Sequence, residues 1–141
     1  MQDLASNLIT ALEGEQDEEF RFLVPRFSRH MASEDVGSIG VPAIFGQVSL
    51  VRHLAARRAA ATSNVLIRRD EDGLATVAAI VTDDMPFLVD SVTAALTDEG
   101  RFIRLVMHPQ LVVERDSQGN LLAILDLDVD DPRPEGAIAE S

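Results

Sequence analysis

The chain has 141 residues and a formal net charge of −12, from 24 acidic and 12 basic side chains, every basic one an arginine. That surplus of acid predicts no nucleic-acid partner and no anionic membrane partner, because phosphate groups need a basic surface to meet. With no cysteine, disulfides, zinc–thiolate sites and thiol catalysis are excluded. No apolar run approaches the roughly 20 residues of a membrane span. The opening Met1-Gln2-Asp3-Leu4 lacks the basic start of a secretory signal, so a cytoplasmic location is expected. A chain of this length buries about 68% of its unfolded surface. Without Trp or Tyr, and with six Phe, its core must be mostly Leu, Val, Ile and Ala.

In chain order, Leu4, Leu8, Ile9 and Leu12 lie at helical spacing and predict a helix over 3–13, ended by Gly14. Asp17, Glu18 and Glu19 place negative charge at the start of the next helix, where the dipole favours it. Its stripe is Phe20, Leu23, Val24 and Phe27, and Pro25 either kinks it or starts it, with an end near Met31. Ser33-Glu34-Asp35 is a loop with cap chemistry. Ile44, Val48, Val51, Leu54 and Ala55 predict a third helix that reaches Ala61 and carries Arg52, Arg57 and Arg58 on its outer face. That cluster and Arg68-Arg69 are the only basic patches.

From Asn64 the period changes. Val65 to Arg68 reads as a strand, Asp70-Glu71-Asp72-Gly73 as a turn, and Leu74 to Val81 as the returning strand. A helix follows from about Pro86 to Glu99, with Leu88, Val92, Ala95 and Leu96 on one face. Asp83 and Asp84 stand where its N-cap belongs, and Gly100 where it would stop in the left-handed conformation. Phe102 to Glu114 is extended, with a bulge or edge at Pro109. Asp116-Ser117-Gln118-Gly119-Asn120 is a second turn and Leu121 to Leu127 pairs back. The stretch 128–141 holds Pro132, Pro134 and Gly136 and reads as loop.

Two strings carry a resemblance. Thr82-Asp83-Asp84-Met85-Pro86-Phe87-Leu88-Val89-Asp90-Ser91-Val92 is followed by Arg104-Leu105-Val106-Met107-His108-Pro109-Gln110-Leu111-Val112-Val113. Together with Phe27-Ser28-Arg29-His30 and Ser33-Glu34-Asp35, they resemble the N-terminal region of the large bacterial NAD-specific glutamate dehydrogenases, from about Phe20 to Leu122. The resemblance implies an ACT-like module ahead of a distant catalytic region. The expected fold is α+β: N-terminal helices packed on an incomplete ACT/ferredoxin-like β-α-β-β sheet, largely antiparallel. The divisions are a helical segment at 1–62, the ACT-like module at 63–127 and a tail at 128–141. The module's second helix and last strand are not evident, so the chain reads as a piece of a longer protein. Its N-terminal helices would cover the sheet face that the absent helix leaves open.

What the resemblance implies for function is a regulatory or assembly module of an enzyme that converts L-glutamate to 2-oxoglutarate and ammonia with NAD. The module's partners would be the rest of that chain, like modules in a homo-oligomer, and an amino-acid effector. The effector would sit at Asp83, Asp84, Met85 and Phe87, because a helix N-terminus offers N–H groups to a carboxylate. ACT loops usually carry Gly right after the Pro, however, and here that residue is Phe87. The competing reading is that Asp84 caps a core helix and Phe87 packs, which leaves a structural scaffold that binds nothing small.

No catalytic set is expected. His108 has no evident nucleophile to serve, His30 and His53 each follow an Arg and read as helix-surface residues, and no G-x-G-x-x-G or Walker loop provides for NAD. With no lysine, the residue on which such a dehydrogenase relies is missing as well. Asp126, Asp128, Asp130 and Asp131 alternate like a calcium loop, but Asp131 and Ala137 stand where Gly and Glu are needed, so no metal site is expected.

Overall fold

In the computed structural model, residues 14, 17–28, 40–69, 76–103 and 105–141 are described. The predicted helix over 3–13, the loop at Ser33-Glu34-Asp35, His30 and the turn at Asp70–Gly73 lie outside them. The α+β class holds: the described residues form three helices and two antiparallel sheets.

Helix α1 spans Glu18–Ser28. Asp17 starts it, its carboxylate accepting the Glu19 amide at 3.0 Å, and the helix runs on through Pro25. Helix α2 spans Val41–Leu54, with Pro42 in the first turn, where no N–H is required. It stops seven residues short of the predicted Ala61, because Ala55–Ala56 turn the chain toward the end of a hairpin: Leu121 N donates to Ala56 O at 2.8 Å and Arg58 N to Gly119 O at 2.9 Å.

Strands β1 (Asn64–Arg69) and β2 (Thr76–Val81) form a two-stranded antiparallel sheet. Helix α3 spans Leu88–Asp98 and ends as expected: Gly100 takes φ +77° and Arg101 N donates to Leu96 O at 2.9 Å. Strand β3 (Leu111–Arg115) is shorter than the predicted 102–114 and begins only after Pro109. It pairs with β4 (Leu121–Leu125) through a bulge between Glu114 and Arg115. On its other side β3 pairs with β5 (Ile138–Glu140), a strand inside the stretch read as loop. Three residues flanked by Pro and Gly carry too little periodicity to register as a strand. The expected single sheet is thus split, in orders β1-β2 and β4-β3-β5. Backbone pairs join the two: Thr82 and Ser141 exchange N–H···O bonds at 3.0 Å, and Asp84 N donates to Ala139 O at 3.0 Å.

The core is where the helices meet the second sheet. Leu23, Val24 and Phe27 of α1, Ile44 and Val48 of α2, Val113 of β3 and Ile124 of β4 form one buried cluster. The N-terminal helices therefore cover a sheet face, as expected of them. Arg26 ties the end of α1 to the chain after β4, donating to Asp126 at 2.7 Å and Asp128 at 2.9 Å. Those two aspartates are thus arginine partners at a strand end. Arg52 lies 4.6 Å from the Phe20 ring centroid and pairs with Asp17 at 2.9 Å. No helix among the described residues is long and apolar enough to cross a membrane.

Truncating Leu23, 1% exposed at the centre of this cluster, to alanine is expected to cost about 2–5 kcal/mol. The same change at the exposed Ile67 should stay within about 0.5 kcal/mol. Urea unfolding of both variants checks the assignment; equal losses would contradict it.

Candidate functional site at the turn before the third helix

Asp83 and Asp84 do not cap α3. The N-cap is Phe87, and the first turn has no side-chain cap. Both carboxylates are engaged elsewhere, which overturns the capping expectation. Asp84 accepts Ser141 Oγ at 2.6 Å and Gln110 Nε2 at 3.1 and 3.2 Å. Asp83 Oδ1 accepts Arg58 Nη2 at 2.6 Å.

Arg58 corrects a second expectation. It is not on an outer helix face but is 2% exposed, the largest fully buried side chain among the described residues. Its Nη2 also donates to Glu140 Oε2 at 2.7 Å, and its Nη1 to Thr62 O at 2.6 Å. Arg115 completes the cluster: Nε and Nη2 grip the two oxygens of Glu140 at 2.7 and 2.9 Å, and Nη1 donates to Gly119 O at 2.8 Å. Two arginines thus face two carboxylates, so the cluster is charge-balanced. This matters because an unpaired buried charge costs several kcal/mol. Burial, the largest single influence on Arg58, opposes its charge, but the hydrogen bonds and charges of Glu140 and Asp83 outweigh it and raise the pKa above its ordinary value. A raised basic group stabilises the fold fully below its unfolded pKa and loses that contribution only as pH rises through the folded value. Arg58 therefore adds no pH dependence near neutrality.

The β3–β4 turn is shaped to this cluster. Gly119 has φ +87°, and a Cβ there would come within 2.3 Å of Arg58 O. Asp116 Oδ1 accepts the amides of Gln118 and Asn120, each at 2.9 Å. Hydrogen bonding to the Asn120 side chain, then to its backbone, holds the Asp116 carboxyl below the usual 3.8. Asp17 is lowered likewise, first by its hydrogen bond to Arg52.

With both aspartates tied down, the turn leaves Met85 and Phe87 outermost. Phe87 is 76% exposed and sits at φ +62°, the left-handed region that suits glycine. The residue after Pro86 thus adopts the backbone of a Gly while carrying an aromatic ring. Of the sequence-predicted set, Asp83, Asp84, Met85 and Phe87 share this turn. Arg58, Gln110, Arg115, Glu140 and Ser141, drawn from four distant stretches, were missed. His108 is half-buried, and its buried Nε2 has no hydrogen-bond partner among the described residues. His53 is exposed on the last turn of α2.

Comparison with known protein families gives one match. The glutamate dehydrogenase ACT1 domain family matches residues 23–141. The chain belongs to that family. No curated protein and no solved structure gives a significant match.

Glu140→Ala leaves Arg58 buried beside a lost partner and should cost about 3–5 kcal/mol, read by urea unfolding. Asp83 is half-exposed, so Asp83→Asn should cost clearly less; the reverse order would contradict the cluster as described. For Asp116, whose folded pKa is depressed, the stabilisation is present above the unfolded value and is lost as pH falls through the folded one. The stability gap between wild type and Asp116→Asn should therefore narrow as pH falls below about 4, in thermal melts across pH. A gap independent of pH would contradict it.

Proposed function

We propose that the chain is the regulatory and assembly module of an NAD-dependent glutamate dehydrogenase, one that senses an amino acid at the turn before α3. The parent would act in the cytoplasm on L-glutamate, giving 2-oxoglutarate and ammonia, with NAD and the catalytic groups held outside this module. Membership of the ACT1 domain family supports the parentage. The observation that carries the sensing role is the uncapped N-terminus of α3. Its first-turn N–H groups have no side-chain acceptor, and the helix dipole favours an anion there. An effector's α-carboxylate would take those donors. Its ammonium would meet the carboxylate of Asp84, with Met85 and Phe87 flanking the side chain. Asp83 acts by holding the turn, through Arg58.

A specific observation also favours the assembly role. Val65, Ile67, Phe87 and Phe102 are all large apolar side chains left exposed. Such surface favours contact with another protein surface.

Thermal unfolding against a panel of amino acids, with 2-oxoglutarate and NAD included, tests the sensing role. A true effector at 100 times its dissociation constant adds about 2.7 kcal/mol. At this chain length that is a midpoint shift approaching roughly 10 °C. The shift should appear with one amino acid, be absent with NAD, and be lost in Asp84→Ala. No shift with any amino acid would leave the module an assembly element alone.

A further inference from the structure

We propose that Arg58 and Arg115 form a carboxylate receptor whose resident occupant is Glu140, and that free L-glutamate takes its place. The inference goes beyond the sensing role above, because it uses neither the N-terminus of α3 nor Asp84. Arg115 Nε and Arg58 Nη2 reach Glu140 Oε2 at 2.7 Å, and Arg58 Nε reaches the same oxygen at 3.2 Å. Arg115 Nη2 reaches Oε1 at 2.9 Å. A guanidinium fork matches a carboxylate in plane and spacing, and here two forks converge on one.

The receptor stands without its occupant. Arg58 is also held by Thr62 O and Asp83, and Arg115 by Gly119 O, none of which belongs to β5. Both arginine side chains are more than nine-tenths buried, at 1% and 6% exposed. With Glu140 gone, two cations face the single carboxylate of Asp83, and a buried surplus of positive charge calls for an anion. The occupant, in contrast, is lightly seated. β5 has three residues, and Glu140 is the one buried residue between 125 and 141. Apolar burial therefore adds little to the hold on β5, which rests on the clamped carboxylate and a few backbone pairs. A short strand so held opens locally at low cost.

What leaves with β5 defines what can replace it. The clamp loses a carboxylate carried on two methylenes. The turn loses backbone partners: Thr82 N and Asp84 N lose Ser141 O and Ala139 O, and Thr82 O loses Ser141 N. Those groups flank Glu140, which bridges Asp83 between them. The vacated place thus offers a double arginine fork at one end, and two N–H donors and a carbonyl at the other. A free α-amino acid with an ω-carboxylate on a two-carbon arm answers both ends. Its ω-carboxylate enters the clamp, its α-carboxylate takes the N–H groups and its ammonium meets Thr82 O. L-Glutamine has the same shape, but its NH2 would set donors against the donors of the arginines and leave them unpaired. Binding of L-glutamate would free β5 from the turn before α3.

Two measurements on the 141-residue chain test this. The first is native-state hydrogen exchange at the Ser141 amide, in L-glutamate and in L-glutamine, at equal ionic strength. A tethered competitor counts as a millimolar concentration, so free acid at about 0.1 M should speed this exchange roughly ten-fold. L-Glutamine should leave it unchanged, and the amides of α1 should keep their protection in both. The second is calorimetric titration with L-glutamate of the wild type and of Glu140→Gln, with folding checked by circular dichroism. Removing the resident carboxylate should tighten binding roughly ten-fold, the tethered competitor being gone. Equal exchange at Ser141 in the two amino acids overturns the receptor, and this result stands even if the variant fails to fold. A folded Glu140→Gln that binds no more tightly than the wild type overturns it as well. Binding of L-glutamate that is lost in Asp84→Ala and indifferent to Glu140→Gln assigns the amino acid to the turn before α3, which overturns the receptor and keeps the sensing role.

Discussion

Two arginines reaching one buried glutamate organise this molecule. Glu140, 2% exposed, takes hydrogen bonds from Arg58 and Arg115, and Arg58 passes on to Asp83. Those four residues come from the linker after α2, the end of β3, the last strand and the turn before α3. Around them the backbone closes into short pairings that would be weak alone. β5 is only three residues long, and it is joined to the 82–84 turn by one isolated bridge, Asp83 with Glu140. In water such pairings fray. Charge-assisted bonds inside a buried site are about twice as strong as neutral ones, and breaking one leaves a charge stranded. The cluster therefore makes β5 and the turn one unit.

That unit decides what the candidate site can be. An aspartate free beside a helix N-terminus would cap it and repel an incoming carboxylate. Here both aspartates are drawn back toward Arg58, Gln110 and Ser141, so the first-turn donors of α3 stay open. Val65 and Ile67 of the preceding hairpin are exposed as well. In the function proposed above, a ligand at this turn would act on a helix whose start is fixed by the arginine–carboxylate cluster.

Much of the framework was legible in the sequence, because it rests on local periodicity and turn chemistry. The stripe Leu23, Val24 and Phe27, the pattern Ile44 and Val48, and the turn Asp116–Asn120 all act within a few residues of themselves. The stop at Gly100 is of the same kind. What was not legible lies at long range. Arg58 and Glu140 are 82 residues apart, and nothing local separates a buried, paired arginine from one on a solvated helix face. The end of α2 at Leu54 was missed for the same reason: a hairpin turn distant in sequence claims the next residues. Asp83 and Asp84 have ideal cap chemistry, but partners distant in sequence outcompeted the helix for them. Phe87 is the opposite case, a residue whose backbone obeys the turn while its side chain contradicts it.

Native-state hydrogen exchange tests this account most directly, at the amides of Thr82, Asp84 and Ser141. A strand of three residues, with a loop before it, ordinarily exchanges almost freely. If the arginine–glutamate cluster locks the last strand to the turn, these three amides will be protected to the same degree as those of β3. Exchange of Ser141 and Asp84 at nearly unprotected rates, while β3 remains protected, would contradict it.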